Sequence, residues 1–238
     1  FFLIFLVIIA GSIVRMSGAG MGCPDWPKCF GMWVPPIDAS DLPANYQEIY
    51  KDRGYAETEF NPLHTWTEYI NRLIGAIAGF FTFLLFLFSI KERKKLLIFF
   101  TLLVLIAMLF QAWLGGIVVS SLLEPFKITL HMIMAIIILC LMLFVMNYGS
   151  FQKKQIVKSL IFKRILLLFM FLTFIQILLG TGVRENMDII AREFNFEYRN
   201  LWIEELGMKF KIHRSFSIIV CFSALCYFVI SIKENLFI

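Results

Sequence analysis

Long apolar runs dominate the chain, and only short charged blocks interrupt them. A helix of about 20 apolar residues crosses the roughly 30 Å hydrocarbon core of a bilayer. In lipid a helix satisfies its own backbone hydrogen bonds, whereas an open sheet edge does not. The sequence therefore predicts an all-α integral membrane protein, a polytopic helical bundle with six spans: Phe1 to Val14, Trp66 to Ile90, Leu96 to Val119, Phe126 to Asn147, Ile165 to Val183 and Phe210 to Ile232.

Composition excludes an ordinary soluble domain and argues against nucleic-acid binding. Of the 238 residues, 60% are hydrophobic and 16% are charged, whereas soluble domains carry about a quarter charged residues. The net charge of +5 comes from basic residues that lie beside the apolar runs, where such residues set membrane orientation. The expected partner of this surface is the lipid bilayer, with no nucleic acid.

The charges of the connecting segments predict the topology. Lys91 to Lys95 and Gln152 to Arg164 are strongly basic, and the positive-inside rule places such segments on the cytoplasmic side. The loops 15–65 and 184–209 carry more acidic than basic residues. They are therefore predicted to lie on the outer side.

Internal repeats predict a two-fold architecture. Gln111 to Val118 and Gln176 to Val183 share the pattern QxxLGxxV, and Gly11 to Arg15 resembles Gly180 to Arg184. The openings of the second and sixth spans also align, which pairs Asn71 with His213. Such repeats are common in membrane bundles.

The first run is short and opens on Phe1, so it covers only about 21 Å before Arg15. With the repeats, this predicts a piece of a longer protein with eight spans in two pseudo-symmetric four-helix halves. Residues 1–147 would form the first half, and residues 148–238 the first part of the second.

The three histidines, His64, His131 and His213, lie near the predicted outer ends of spans. Ionisable groups at such positions usually face a bundle interior or cavity. One interpretation is hydrogen bonding between helices. The other is metal ligation, which we favour for His131 and His213. Zinc would want three or four ligands, whereas haem iron needs only one or two axial ligands.

Four arginines at the outer ends of spans are candidates to bind haem propionates: Arg15, Arg72, Arg184 and Arg214. The alternative for each is snorkelling to the lipid headgroups.

Glu68 lies at the start of the second span, on the same helix face as His64 and Arg72. It is either an ion-pair partner of Arg72 or a carboxylate that acts as acid, base or cation stabiliser beside a haem pocket. The sequence alone does not favour one of these interpretations over the other.

The five cysteines divide by predicted compartment. Cys140, Cys221 and Cys226 fall in spans and are predicted to be apolar core residues. Cys23 and Cys29 fall in the outer loop, where a disulfide is reasonable and a redox-active pair is the alternative.

Several of these segments together resemble the haem A synthase family, and the resemblance covers nearly the whole chain. Its most specific element is the segment from Gly22 to Cys29, which we call the cysteine loop. The matching segments are Gly11 to Gly20, Gly22 to Cys29, Glu68 to Arg72, Gln111 to Gly115, Leu130 to His131 and Ile212 to Arg214.

The resemblance implies an oxidoreductase of the cell inner (plasma) membrane that oxidises the C8 methyl group of haem O to the formyl group of haem A. Haem b would be the resident cofactor, and haem O the substrate, supplied by a haem O synthase. His213 would ligate haem b, His131 would face the substrate haem, and Glu68 would be the catalytic carboxylate. Whether copies of the chain form a homo-oligomer is left open.

The chain departs from the family at Asn71, where most members have a histidine. His64 lies seven residues earlier, about 10 Å along the helix, and whether it compensates is left open. Two other functions share the histidines: a dihaem b-type electron carrier linked to quinol, which would not need Glu68, and a non-catalytic membrane assembly or transport protein.

Overall fold

The computed structural model describes residues 1–56, 59–149, 159–194 and 198–233. Their regular structure is helical, apart from one isolated bridge between Cys29 and Met32. The chain divides into two compact units, Phe1–Phe151 and Gln152–Ile238.

The first unit is built on four long helices, with the cysteine loop between the first two. Its helices are α1 (Phe2–Met16), the short α2 (Tyr46–Ile49), α3 (Pro62–Lys91), α4 (Lys95–Ser120) and α5 (Pro125–Gly149). The start of α3 is set locally: Pro62 occupies the first turn, and the Asn61 side chain accepts a hydrogen bond from the His64 N–H.

The long helices pack in sequence, α1 against α3, α3 against α4, and α4 against α5. The core between them is apolar and includes Val104 and Ile138. One polar contact crosses it, a 2.7 Å hydrogen bond between the hydroxyls of Ser89 and Thr101. Each hydroxyl also lies within hydrogen-bond distance of a carbonyl in its own helix, Phe86 for Ser89 and Leu97 for Thr101.

The second unit consists of α6 (Leu160–Glu193), α7 (Arg199–Glu205) and α8 (Gly207–Lys233). Helix α6 packs along α8. Helix α6 contains the predicted span from Ile165 to Val183 and continues beyond it to Glu193. No proline or glycine interrupts residues 184–193, and Arg184 pairs with Asp188 one turn on, at 3.5 Å. Much of the predicted loop 184–209 is thus helical.

Five helices among the described residues are long and apolar enough to cross a membrane, and α1 is a shorter apolar helix. Large apolar side chains such as Phe80, Leu109 and Phe171 are exposed on their surfaces. Lipid is the solvent that such surfaces fit. The predicted fold class, a polytopic helical membrane protein, is confirmed.

Cys140 and Cys221 are exposed rather than buried, because helices that are apolar on every side do not reveal which face packs inward. Of the basic stretch from Gln152 to Arg164, residues 152–158 lie outside the described residues, while Lys163 and Arg164 belong to α6.

Candidate functional site

A disulfide between Cys23 and Cys29 closes the loop that follows α1, with a Cα–Cα distance of 4.8 Å. Asp25, inside this loop, accepts hydrogen bonds from the backbone N–H groups of Phe30 at 2.6 Å and Gly31 at 2.8 Å. The loop therefore carries its own internal support besides the disulfide.

An aromatic cluster packs beneath the loop. The Phe30 ring contacts Tyr46, Tyr50, Tyr55 and Phe60 edge-on, with centroid distances from 5.3 to 6.2 Å. The hydroxyl of Tyr55 donates a hydrogen bond to the Met21 carbonyl. Burial raises the pKa of Tyr55, so this hydroxyl remains a donor at any physiological pH.

Glu68 and Arg72 fasten the loop to α3. Glu68 is 4% exposed; one carboxylate oxygen accepts from the Cys23 N–H at 2.9 Å, and the other pairs with Arg72. Arg72 also donates to the carbonyls of Asp25 at 2.7 Å and Lys28 at 2.9 Å. The ion pair considered from the sequence is present, and it is joined to the loop backbone.

The loop also approaches the first turn of α3 at Gly22. A Cβ at this position would overlap the backbone carbonyl of His64, so only glycine fits there. The Thr65 hydroxyl donates to the Gly22 carbonyl at 2.8 Å. The His64 side chain is half-buried at this junction.

The other three candidate arginines have different surroundings. Arg15 is exposed in the last turn of α1. Arg184 is half-buried on α6 near Asp188. Arg214 is exposed on α8, with its guanidinium 5.7 Å from the centre of the Phe210 ring.

His131 lies in the second turn of α5 and faces α4. A Cβ at Gly115 would be 3.5 Å from its Cε1 atom, so the ring rests against a helix surface without a side chain. Gln111, one turn before Gly115, donates from Nε2 to the His131 carbonyl at 3.1 Å. The buried His131 Nδ1 and Gln111 Oε1 have no hydrogen-bond partner among the described residues.

The second unit repeats this arrangement between α6 and α8. A Cβ at Gly180 would be 3.0 Å from the His213 Cε1 atom, and Gln176 donates to the His213 carbonyl at 3.2 Å. Again Nδ1 of the histidine and Oε1 of the glutamine are buried without a partner in the described parts of the chain. We call each arrangement of glycine, glutamine and histidine a histidine seat.

Helices α1 and α3 form a related pair that lacks an imidazole. A Cβ at Gly11 would be 3.8 Å from Oδ1 of Asn71, a buried atom for which the described residues offer no hydrogen-bond partner. The position one turn before Gly11 is Val7 instead of glutamine. This pair thus keeps the glycine contact and changes both polar residues.

A cavity of about 260 Å³ lies between the cysteine loop and the end of α4. Trp26 packs over Gly116 at its wall, and Arg53 there donates to the Ser120 carbonyl at 3.0 Å. Drug-sized ligands usually occupy about 300–1,000 Å³, so this space is too small for a haem.

The two histidine seats fit haem iron better than zinc. Among the described residues, no three histidine, cysteine or carboxylate side chains gather as a metal cluster. Each seat instead offers one half-buried imidazole at a glycine notch, and its buried Nδ1 atom has no hydrogen-bond partner in the described residues. One imidazole is enough for an axial haem ligand. The fold and sites define a multi-pass helical membrane protein with an imidazole suited to haem in each unit.

Comparison with known proteins gives the family. The family model for cytochrome oxidase assembly proteins, COX15-CtaA, matches residues 1–236. The chain therefore belongs to this family.

Several curated relatives are named heme A synthase. The chain is 31% identical to that of Shewanella oneidensis over 157 residues, which are 65% of this chain and 44% of the relative. It is 25% identical to that of Flavobacterium johnsoniae over 268 residues, covering 98% of this chain and 78% of the relative. The chain thus matches less than half the length of the Shewanella protein. No solved structure matches it.

Sequence reasoning did not assign roles to three side chains that support these sites. Asp25 organises the cysteine loop, and its position between the two cysteines was the available signal. Gln111 and Gln176 contact the histidine backbones. Both stand at the head of the QxxLGxxV repeat, so the repeat contained their signal, but only the structure connects it to the histidines.

Proposed function

We propose that this chain is the haem-binding part of a haem A synthase, which oxidises the C8 methyl group of haem O to a formyl group. The observation that carries the proposal is the repeated histidine seat, with one half-buried imidazole in each unit whose Nδ1 atom is buried. The family and the names of the relatives agree with it. Cytochrome oxidase would receive the haem A produced.

The two seats take different haems in this proposal. His213 would ligate the iron of a resident haem b, and His131 would bind the substrate haem O through its iron. Bound haem supplies the oxidising chemistry, while the protein binds, orients and shields the macrocycles. Residues 1–147 would form the substrate half, and residues 148–238 part of the haem b half.

Three arginines would pair with the haem propionates: Arg15, Arg184 and Arg214. Each lies toward the same end of its helix as the predicted outer loops. Arg72 is the fourth candidate, and it would contribute less directly because its guanidinium already binds the cysteine loop and Glu68. His64, at the junction of loop and α3, would line the same end.

Glu68 is the proposed catalytic carboxylate. It lies one turn before Asn71, which contacts the α1 notch at Gly11. A carboxylate there stabilises positive charge that develops on a reacting carbon, or takes a proton from water. The contacts with Cys23 and Arg72 fix its position, which is what an electrostatic role requires.

A dihaem b-type electron carrier, linked to quinol, is the second candidate. The near-identical surroundings of His131 and His213 favour it, because an electron carrier needs two similar haem sites and no catalytic carboxylate.

Haem extraction separates these functions. The chain is expressed with a haem O supply, purified, and its extracted haems are quantified per mole of folded protein. Haem A is expected in the wild type and absent from His131→Ala. Haem b without haem A in the wild type would favour the electron carrier. No haem in either would leave a non-catalytic assembly or transport role.

The proposal includes a location in the plasma membrane, with loops 15–65 and 184–209 outside and a haem O synthase as the supplier of substrate. Cysteine labelling of intact cells tests the sidedness. In a background without Cys140, Cys221 and Cys226, an impermeant reagent should label Ser40→Cys, because Ser40 is exposed in the loop 15–65. Lys94→Cys should stay unlabelled, and its labelling from outside would contradict the topology. A homo-oligomer would appear as a larger mass in detergent.

A further inference from the structure

The glutamine of each histidine seat uses only half of its amide. Nε2 donates to the histidine carbonyl at 3.1 Å for Gln111 and 3.2 Å for Gln176. In both seats Oε1 is a buried acceptor and Nδ1 of the histidine is a buried polar atom, and neither has a partner among the described residues. Each seat thus leaves one glutamine oxygen and one ring nitrogen unsatisfied, and the same two atoms are involved in both units.

Buried polar atoms are rarely left without a partner, because each one has given up its hydrogen bonds to water without replacing them. An internal water that bridges such atoms is the usual solution. A histidine that binds a metal through one ring nitrogen also normally donates its other N–H to an oxygen, which fixes the tautomer and the ring plane. In each seat, Oε1 of the glutamine is a buried oxygen with no partner in the described residues, so it is the candidate acceptor.

We infer that Gln111 and Gln176 are positioning residues for His131 and His213. Nε2 of each glutamine binds the histidine carbonyl, and Oε1 accepts the Nδ1–H hydrogen bond through one water. The proton then resides on Nδ1, and the Nε2 lone pair is presented to iron. This rests on the proposed function for the identity of the metal, but the tautomer does not depend on it.

The pair formed by α1 and α3 supports the inference independently. There Asn71 replaces the histidine, and Val7 stands where the other two pairs have glutamine. An asparagine presents no ring N–H that needs orientation. The glutamine is therefore present in the two pairs that hold an imidazole and absent from the pair that does not.

The test uses the purified chain in detergent and compares leucine and glutamate variants of each glutamine. Haem b is the probe for the Gln176 variants, and haem O is the probe for the Gln111 variants. Gln176→Leu and Gln111→Leu remove the acceptor, which makes the imidazole a poorer donor to ferric iron. Haem affinity should fall roughly tenfold, and the midpoint potential should rise. Glutamate is a stronger acceptor, so Gln176→Glu and Gln111→Glu should lower the potential. A tenfold change in the ratio of ferric to ferrous affinity corresponds to about 59 mV.

Two matched controls remove other hydroxyl hydrogen bonds from the same helices. Thr173→Val deletes a bond to the Phe169 carbonyl within α6, and Thr101→Val deletes the bond to Ser89 between α4 and α3. Both should leave the potential unchanged. If leucine and glutamate variants shift the potential in the same direction, or not at all, the glutamines only pack the helices and the inference is wrong.

Nitrogen NMR of ¹⁵N-histidine in the haem-free chain separates this inference from the proposed function. His131 and His213 should carry the proton on Nδ1, and the leucine variants should shift it toward Nε2. An Nε2–H tautomer in the wild type would overturn the inference even if haem binds. An Nδ1–H tautomer with no haem b binding would overturn the proposed function and leave the inference standing.

Discussion

Two polar regions of the first unit differ in how completely their hydrogen bonds are satisfied. At the cysteine loop, both oxygens of Glu68 and several donors of Arg72 have partners within the chain. At the His131 seat, Nδ1 of the ring and Oε1 of Gln111 have none among the described residues. Buried networks that are fully paired hold a structure together, whereas unpaired groups mark places where something else binds. Glu68 and Arg72 therefore fasten the loop to α3, whereas the seat has atoms that need a partner from outside the described residues.

The largest effects on haem binding and haem A formation are expected from substitution of the two seat histidines. His213→Ala should lower haem b content, because the described second unit offers no other histidine. His131→Ala should keep much of the haem b and lose haem A formation. A pyridine haemochrome spectrum measures the first and haem extraction the second. An unchanged spectrum and activity in His213→Ala would show that the seat is not a haem site.

Glu68 both fastens the loop and is the proposed catalytic carboxylate. The second largest effect is expected from its substitution. Glu68→Gln keeps an oxygen that accepts from the Cys23 N–H, and Arg72 keeps its two carbonyl partners. Folding and haem b content should stay near normal, while haem A formation stops; Glu68→Asp should retain a little. Haem A per mole of folded protein is the measurement.

Asp25→Asn is the matched control for Glu68. It weakens the same loop through the Phe30 and Gly31 contacts and leaves the Glu68 pair untouched. If it reduces haem A as much as Glu68→Gln does, then loop integrity explains both results and Glu68 is only an anchor.

Loss of the disulfide should reduce haem A formation less than loss of Glu68 or of a seat histidine, because Asp25, Glu68 and Arg72 also support the loop. Disulfides contribute typically about 2–4 kcal/mol, and a short loop lies at the low end. Cys23→Ser should lower thermal stability and retain haem A formation at a reduced level, measured by melting and haem extraction together. Complete loss of haem A with normal stability and haem content would instead point to a redox role for the pair.

The difference between the two regions also decides what the sequence could predict. Spans, fold class and the disulfide pair are visible in local pattern, because apolar length and cysteine spacing are properties of contiguous residues. Contacts between helices cannot be predicted in this way. The repeat aligned Gly115 with Gly180, but it did not show that these glycines contact His131 and His213, because those contacts depend on helix packing. The end of α6 was missed because residues 184–193 are polar enough to resemble a loop and yet contain no helix breaker.

The smallest predicted effect compares the two glycine notches. A Cβ at Gly180 would be 3.0 Å from His213 Cε1, closer than side chains normally approach, whereas at Gly115 the distance to His131 is an ordinary 3.5 Å. Gly180→Ala should therefore displace its imidazole by a few tenths of an ångström, and Gly115→Ala should leave its ring in place. Alanine also favours a helix over glycine by up to about 1 kcal/mol, so Gly115→Ala should melt slightly higher than the wild type. The spectrum of the haem bound at the altered seat, haem b for Gly180→Ala and haem O for Gly115→Ala, should change only for Gly180→Ala. Equal spectral changes in both variants would mean that the seats are less different than their distances indicate.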